Sequence, residues 1–324
     1  MKILVTGATG FVGHVLCKAL FEKGFKIRAL VFPGEDYSHI LEFVDETVQG
    51  DIGKSETLVG VGDDMDVVYH LAARVLDYGS KKDFYDSILE GTRNMLIACS
   101  HKAKRFVYIS SICACGTGNH MKGMTENDTC KKTGVYYGDA KLDAEILVRS
   151  YADRFSNGWV IARPANVIGP QSVWVREVGS MFQKSIVPLF DKGRHSASLV
   201  NVDNLVDGLV LTGEVPEAGN QIYFFRDDWQ VTWKKYLTDL SAMLGKRPIG
   251  SVPFLLVWYI GAIAEAISKP LRLRPFATRS SAGLMGRDND VITNKAQNEL
   301  GWKTTVSYEK AMDKIEEWVK ENMI

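Results

Sequence analysis

A glycine-rich loop near the start of the sequence limits the fold more than any other feature. The loop reads TGATGFVG over residues 6–13 and lies between an apolar run at 2–6 and an amphipathic stretch. A strand, a glycine turn and a helix in this order are typical of dinucleotide-binding sites. Gly7 allows the tight turn, Gly10 lets the backbone approach a pyrophosphate, and Gly13 lets the helix pack closely on the strand. Glycines also occur in ordinary strand-to-helix turns, so the prediction needs support from the rest of the chain.

Alternating strand and helix patterns continue to about residue 165, which predicts an α/β fold with a doubly wound parallel sheet of the Rossmann type. Beyond Pro170 the loops lengthen and the alternation weakens. We therefore expect a dinucleotide-binding domain over 1–165 and a smaller, partly discontinuous substrate-binding lobe over 166–324, with a segment near 196–212 returning to the first domain. The predicted strands are 2–6, 26–31, 66–70, 105–110, 159–163 and 221–225. The predicted helices are one that follows the glycine loop and ends at Lys23, and those at 83–101, 136–155, 203–211, 232–244 and 307–322.

The charge balance excludes the broad basic surface that nucleic-acid binding requires. Lys and Arg total 39, and Asp and Glu also total 39, so we expect a small-molecule partner. The five cysteines show neither a C-x-x-C motif nor zinc spacing with histidine. We interpret them as buried apolar residues in a reduced compartment and expect no metal site. The first residues lack the pattern of a signal peptide, which favours a cytoplasmic location.

The longest apolar stretch, 252–267, is shorter than the ~20 residues that span a bilayer, and it contains Glu265. We expect a helix that lines or caps a pocket. Contact of this helix with a membrane surface stays open as an alternative.

A tyrosine and a lysine four residues apart indicate an acid–base pair. Tyr137 and Lys141 lie at the start of a predicted helix, so their side chains share one face. The pKa of a free tyrosine is about 10, and a neighbouring ammonium lowers it. The pair would then exchange a proton with a substrate oxygen. An aromatic residue beside a surface lysine is the alternative interpretation, and the neighbouring Tyr136 has Ala140 at this spacing.

The order of several motifs resembles the extended short-chain dehydrogenase/reductase superfamily, the NAD-dependent epimerase/dehydratases. The loop has the spacing Gly-x-x-Gly-x-x-Gly. It is followed by GDI at 50–52, HLAA at 70–73, SS at 110–111, YGDAK at 137–141 and RPANVIGP at 163–170.

The resemblance implies an enzyme that uses NAD or NADP, and it assigns roles to the motif residues. Tyr137 is implied as the general acid and base, and Lys141 as the residue that binds the nicotinamide ribose and lowers the pKa of the tyrosine. The Ser-Ser-x-x-x-x-Gly spacing implies that Ser111 orients the substrate oxygen, whereas Ser110 makes structural hydrogen bonds. The implied cofactor-binding residues are Gly7, Thr9, Gly10, Phe11, Val12, Gly13, Phe32, Asp51, Ile52, Leu71, Ala72, Ala73, Lys141, Pro164, Asn166 and Val167.

Two positions depart from the family pattern. Ile88 stands where many relatives carry an asparagine that supports a water-mediated proton path, which puts that path in doubt. The second strand ends with neither the acid that binds a free ribose 2′-OH nor the arginine that holds a 2′-phosphate. Glu35 and Asp36 follow, which favours NAD over NADP. We expect Arg28 to point along its strand and away from the cofactor.

The second half of the chain resembles the branch with 3β-hydroxysteroid dehydrogenases and dihydroflavonol reductases, through VDNLVD at 202–207 and QVTW at 230–233. This branch implies interconversion of a secondary alcohol and a ketone on an apolar, steroid-like or polyphenol-like substrate. A nucleotide-sugar epimerase is the first alternative, with Arg176, Lys184, Lys192 and Arg194 as charges for a diphosphate. A nucleotide-sensing regulator is the second alternative, and a homodimer stays open. The expected pocket wall consists of Phe254, Leu255, Trp258 and Tyr259.

Overall fold

A parallel sheet forms the centre of the computed structural model, which describes residues 1–271 and 273–324 and the side chains of 1–268 and 273–324. The strands are β1 Lys2–Thr6, β2 Lys26–Val31, β3 Glu46–Gln49, β4 Met65–His70, β5 Ala103–Ile109, β6 Met121–Met124, β7 Trp159–Pro164, β8 Asn166–Ile168, β9 Leu189–Phe190, β10 Leu199–Asn201, β11 Gln221–Phe225, β12 Ser251–Val252 and β13 Asn289–Val291. The α-helices are α1 Phe11–Glu22, α2 Lys81–Phe84, α3 Gly91–Cys99, α4 Tyr136–Arg149, α5 Val173–Lys184, α6 Val202–Glu214, α7 Trp233–Met243, α8 Phe254–Leu271, α9 Arg279–Met285, α10 Asn294–Leu300 and α11 Tyr308–Asn322.

The order of the strands in the main sheet confirms the predicted doubly wound topology. Within the described residues the order is β11-β7-β5-β4-β1-β2-β3, and every neighbouring pair is parallel. The order reverses between β1 and β4, where Thr6 pairs with His70. In sheets of this kind ligands bind outside the carboxyl ends of the strands at the point of reversal.

Alternate residues of each strand enter two different hydrophobic cores, one on each face of the sheet. Val5 and Val107 belong to the core that includes residues of α1 and α6, whereas Leu4 and Phe106 belong to the core under α3 and α4. A third core joins α5, α7 and α11 around the buried Trp233. The parallel strands are therefore buried on both faces, as expected for such a sheet.

Several element boundaries differ from the prediction because local backbone geometry interrupts the apolar period. The predicted helix 83–101 is divided by a π-helical turn, Tyr85–Glu90. The predicted helix 136–155 ends at Arg149, and a short 3₁₀ turn, Ala152–Arg154, follows it. The four-residue strand β3 is partly exposed and carries no strong apolar pattern, so the sequence analysis missed it.

Two later segments contact the first part of the chain. Helix α6 packs against α1, and β11 completes one edge of the main sheet beside β7. The division of the chain near residue 165 stays a prediction. None of the described helices is both long enough and apolar enough to cross a membrane.

Candidate active site

The glycine loop links β1 to α1 with geometry that only small residues allow. Gly7 has a φ of +69°, in the left-handed region that favours glycine. A Cβ at Gly13 would lie 2.0 Å from the Gly7 carbonyl oxygen, so helix and loop could not pack as they do. Gly10 is the N-cap of α1 and has no side-chain cap. The N–H groups of Phe11 and Val12 have no acceptor inside the helix and suit an anion such as a pyrophosphate.

A buried hydrogen-bonded chain fixes the segment after β4 against this loop. Thr6 Oγ1 lies 2.8 Å from His70 Nδ1 and accepts the Ala72 N–H at 3.1 Å. His70 Nε2 lies 3.2 Å from the Thr92 hydroxyl. Burial, assisted by the charge of Lys141, lowers the pKa of His70 to about 3, so this imidazole is neutral. The segment Leu71, Ala72 and Ala73 therefore lies at the carboxyl edge beside the loop.

Glu35 lies at the end of β2, where folds of this type hold the adenosine ribose. Its carboxylate accepts the Thr9 hydroxyl at 2.8 Å and the Phe32 N–H at 3.3 Å. Phe32 itself is exposed. Arg28 donates to Glu46 and to the carbonyl of Val61, which confirms that it points away from the loop.

The other predicted cofactor residues also follow parallel strands. Asp51, after β3, accepts the Gly53 N–H, and the Ile52 carbonyl accepts the Asn94 amide at 2.8 Å. Pro164 ends β7, and Val167 lies in β8. Asn166 donates its amide to the Ala197 carbonyl at 2.7 Å. The structure thus brings these residues to one edge of the sheet, and their roles in binding stay predictions.

Ser111, Tyr137 and Lys141 meet where β5 ends and α4 begins. Lys141 is 3% exposed, and its Nζ donates to the Ile109 carbonyl at 2.7 Å, two residues before Ser111. The Ser111 hydroxyl accepts the Cys113 N–H at 3.1 Å and interacts with the Tyr137 hydroxyl. Helix α4 approaches the segment after β5 closely at Gly138, where a Cβ would lie only 2.4 Å from the Cys113 carbonyl oxygen. The absence of a side chain at Gly138 therefore allows this approach. The motif residues therefore form one connected group.

The electrostatics of this group differ from the expectation for Tyr137. Burial raises the pKa of Tyr137, the Cys113 thiol raises it further, and only the Ser111 hydroxyl lowers it. Burial also lowers the pKa of Lys141 to about 7, so its ammonium is partly discharged near neutral pH. The expected lowering of the pKa of Tyr137 by Lys141 is absent among these described interactions. Tyr137 is consequently held in its protonated form.

A buried ion pair under this group was missed in the sequence analysis. Glu145 is fully buried and accepts the Ser110 hydroxyl at 2.5 Å and the Arg163 guanidinium at 2.9 and 2.6 Å. Ser110 thus has the structural role that was expected of it. Glu145 follows Lys141 by one helical turn, and this spacing was the sequence signal that could have placed Glu145 near the site. Ile88 is buried in the π-helical turn and offers no hydrogen-bonding group.

A small cavity lies next to Tyr137. Its lining includes Phe84 and Tyr136 together with Asp77, Glu265 and Arg279. Glu265 accepts the Arg279 backbone N–H at 2.7 Å and pairs with its guanidinium at 2.8 Å. The wall is therefore partly ionic.

Helix α8 contributes Glu265 to this cavity, and none of the four residues predicted to form the wall lines it. Phe254 is buried, and Trp258 packs against it with ring centroids 5.4 Å apart. Leu255 and Tyr259 are 60% and 64% exposed on a different face of the helix. Helical periodicity places these neighbouring positions on different faces of α8, so they do not form one continuous wall, and the contact of any of them with a substrate stays a prediction.

Two histidines and an aspartate that are far apart in the sequence form a cluster, which the sequence analysis did not predict. Asp288 lies 2.9 Å from His120 Nδ1 and 2.7 Å from the buried His195 Nδ1. Such side chains are able to hold a metal ion. Lys122 approaches Asp288 to 3.6 Å, and this cation already offsets the carboxylate charge.

Comparisons with known proteins agree with this architecture. The family model described as the NAD dependent epimerase/dehydratase family matches residues 3–224. A ketoreductase of Stigmatella aurantiaca, named for 4-hydroxy-2-methyl-3-oxo-4-farnesyl-3,4-dihydroquinoline-1-oxide, is 26% identical over 97% of this chain and 96% of its own. The 3 beta-hydroxysteroid dehydrogenase type 7 of Mus musculus is 24% identical over 98% of this chain and 95% of its own. The solved structure of UDP-glucose 4-epimerase from Thermotoga maritima covers both chains completely, with a TM-score of 0.79 and 20% identity.

Proposed function

This chain belongs to the NAD-dependent epimerase/dehydratase family, and from that membership we propose that it interconverts a ketone and a secondary alcohol on a largely apolar substrate. The observation that carries the proposal is that Tyr137 interacts with Ser111 while Lys141 donates to the Ile109 carbonyl at the end of the same strand. Relatives named as a ketoreductase and a hydroxysteroid dehydrogenase support the same chemistry.

The residues of this chain divide the reaction between them. The glycine loop would hold a nicotinamide cofactor, which would supply the hydride for the carbonyl carbon or accept it in the reverse direction. Tyr137 donates its hydroxyl proton to the carbonyl oxygen, and the Ser111 hydroxyl donates a hydrogen bond to that oxygen. Lys141 would hold the nicotinamide ribose. Reprotonation of Tyr137 completes the cycle.

The state of Tyr137 favours the reductive direction. Its pKa is raised by burial, so the phenol form that donates a proton predominates at neutral pH. The names of the ketoreductase and hydroxysteroid dehydrogenase relatives favour a ring ketone as the substrate.

An epimerase acting on a nucleotide sugar is the second candidate, and the likeness in fold to such enzymes motivates it. It needs cations for the diphosphate of the sugar nucleotide. The four cations considered for this purpose are exposed, and none lines the described cavity at Tyr137; they are Arg176, Lys184, Lys192 and Arg194. The ketoreductase proposal is therefore preferred.

A substrate screen tests the proposal. The chain is incubated with NADH or NADPH and with steroid, flavonoid and β-keto acid ketones, and loss of the reduced nicotinamide absorbance is measured. We expect turnover of at least one ketone class, and a chain with Tyr137→Phe serves as the inactive control. Conversion of UDP-glucose to UDP-galactose without net consumption of cofactor, and no turnover of any ketone, would support the epimerase instead.

The position of Glu35 predicts the choice between NAD and NADP. Its carboxylate lies between Thr9 and Phe32, where it would repel the 2′-phosphate of NADP. Glu35→Gln removes the charge and retains the shape, so affinity for NADP relative to NAD should rise by about tenfold, as expected for ~1.4 kcal/mol of charge interaction. Calorimetric dissociation constants for both cofactors measure this ratio. Glu46→Gln, at the other end of the neighbouring strand, is the control, and an unchanged ratio in Glu35→Gln would contradict the assignment.

A further inference from the structure

Two cysteines that the sequence analysis interpreted as apolar residues lie in direct contact beside the candidate active site. The sulfurs of Cys115 and Cys130 are 2.7 Å apart. Cys115 ends the short helix Ile112–Cys115 directly after Ser111, and Cys130 lies in the loop that leads to α4 and Tyr137. A disulfide bond requires about 2.0 Å between the sulfurs, so they would have to approach by only about 0.7 Å.

The surroundings give the two thiols different properties. Cys115 is buried, whereas Cys130 is partly exposed. The contact with Cys115 and the guanidinium of Arg163 lower the pKa of Cys130. The contact with Cys130 and burial raise the pKa of Cys115. Arg163 Nη1 is buried, and no hydrogen-bond partner was found for it within the described part of the chain. The charge of Arg163 favours the thiolate form of Cys130.

We propose that Cys115 and Cys130 form a reversible disulfide that ties the segment after Ser111 to the loop before Tyr137. The oxidant is hydrogen peroxide or an organic hydroperoxide. The Cys130 thiolate attacks the peroxide, the O–O bond breaks, and a sulfenic acid and hydroxide result. The Cys115 sulfur then attacks the sulfenyl sulfur, the S–O bond breaks, and water leaves as the S–S bond forms. Two thiols and one hydrogen peroxide thus give one disulfide and two waters, and a dithiol reductant reverses the change.

The effect of the disulfide follows from the contact that Cys115 and Cys130 already make. Because the sulfurs hardly move, Ser111 and Tyr137 keep their positions, so the disulfide should stabilise the site without blocking it. It closes a loop from 115 to 130, which restricts the unfolded chain. The melting temperature of the oxidised protein should therefore rise by roughly 3–6 °C over the reduced protein.

Peptide mapping of the folded, full-length chain tests the proposal. The protein is treated with hydrogen peroxide, the remaining thiols are alkylated, and trypsin digestion follows without reduction. Cys115 lies in the tryptic peptide 106–122 and Cys130 in the peptide 123–131. We expect these two peptides to be linked with the loss of two hydrogen atoms, and the link to disappear with dithiothreitol.

A second cysteine in the first peptide supplies the matched control. Cys113 also lies in 106–122, so Cys113→Ser should retain the link, and Cys115→Ser and Cys130→Ser should abolish it. Fragmentation of the linked peptide of the unaltered chain locates the bond even if a variant fails to fold. Absence of the link, a bond located at Cys113, or conversion of Cys130 to sulfinic acid without a link would overturn the proposal.

Discussion

Replacing Tyr137 with phenylalanine is expected to lower the turnover of a ketone by roughly 10²–10⁴, the usual contribution of a positioned acid or base. The substitution keeps the ring and its edge contact with Phe84, whose ring centroid lies 6.3 Å away. It removes the hydroxyl that interacts with Ser111 and supplies the proton. Affinity for the cofactor should change little, because the ribose contact is assigned to Lys141. Steady-state turnover and calorimetric cofactor binding measure the two effects separately.

A variant of the neighbouring tyrosine and the pH dependence of the reaction rate test whether the effect belongs to Tyr137. Tyr136→Phe is the matched control, since Tyr136 also lines the cavity but has Ala140 one helical turn later. Alcohol oxidation needs the phenolate form of Tyr137, whose pKa is raised by burial. Its rate should therefore rise about tenfold per pH unit through neutral pH, and the rate of ketone reduction should stay nearly constant. Near-normal turnover in Tyr137→Phe, or its loss in Tyr136→Phe, would contradict the assignment of the site.

The central sheet could be predicted from sequence because its determinants are local. Strands β1 and β2 are short apolar runs with clear boundaries, and both were predicted at the observed residues. The glycine loop alone predicts both the turn at Gly7, where φ is positive, and the close packing of α1 on the loop at Gly13.

The region expected to bind the substrate could not be predicted in the same detail, because it depends on contacts between segments that are far apart in the sequence. Helix α8 was expected from its apolar composition, but composition does not reveal which face is buried, and Leu255 proved to be exposed. The pairing of Glu265 with Arg279 depends on how α8 meets α9. The contact of Cys115 with Cys130 likewise depends on the course of a loop that has no regular pattern.

The pKa of Tyr137 shows how burial can oppose an inference from spacing. The four-residue interval places Tyr137 and Lys141 on one face of α4, as expected. However, the ammonium of Lys141 donates to the Ile109 carbonyl, and burial lowers its own pKa to about 7. The charge that should act on the tyrosine is therefore weakened by the same burial that raises the pKa of the phenol. Glu145 opposes this effect, because it raises the pKa of Lys141.

Glu145→Ala is expected to destabilise the protein by about 3–5 kcal/mol, the usual loss when one partner of a buried ion pair is removed. Glu145 is fully buried, and its removal leaves the Arg163 guanidinium and the Ser110 hydroxyl without the acceptor that they share. Urea denaturation measures the change in the free energy of unfolding. The control is Asp143→Asn. Asp143 lies on the same helix as Glu145 and forms a more exposed pair with Lys132 of the preceding loop, and loss of that pair should cost about 0–1 kcal/mol.

The cause of the loss is tested by removing both charges of the pair. Glu145→Leu combined with Arg163→Met should recover much of the stability, because apolar residues of similar volume replace a buried ion pair at little cost. A loss of less than about 1 kcal/mol in Glu145→Ala would show that water or a neighbouring group replaces the carboxylate, and that the ion pair does not support the site.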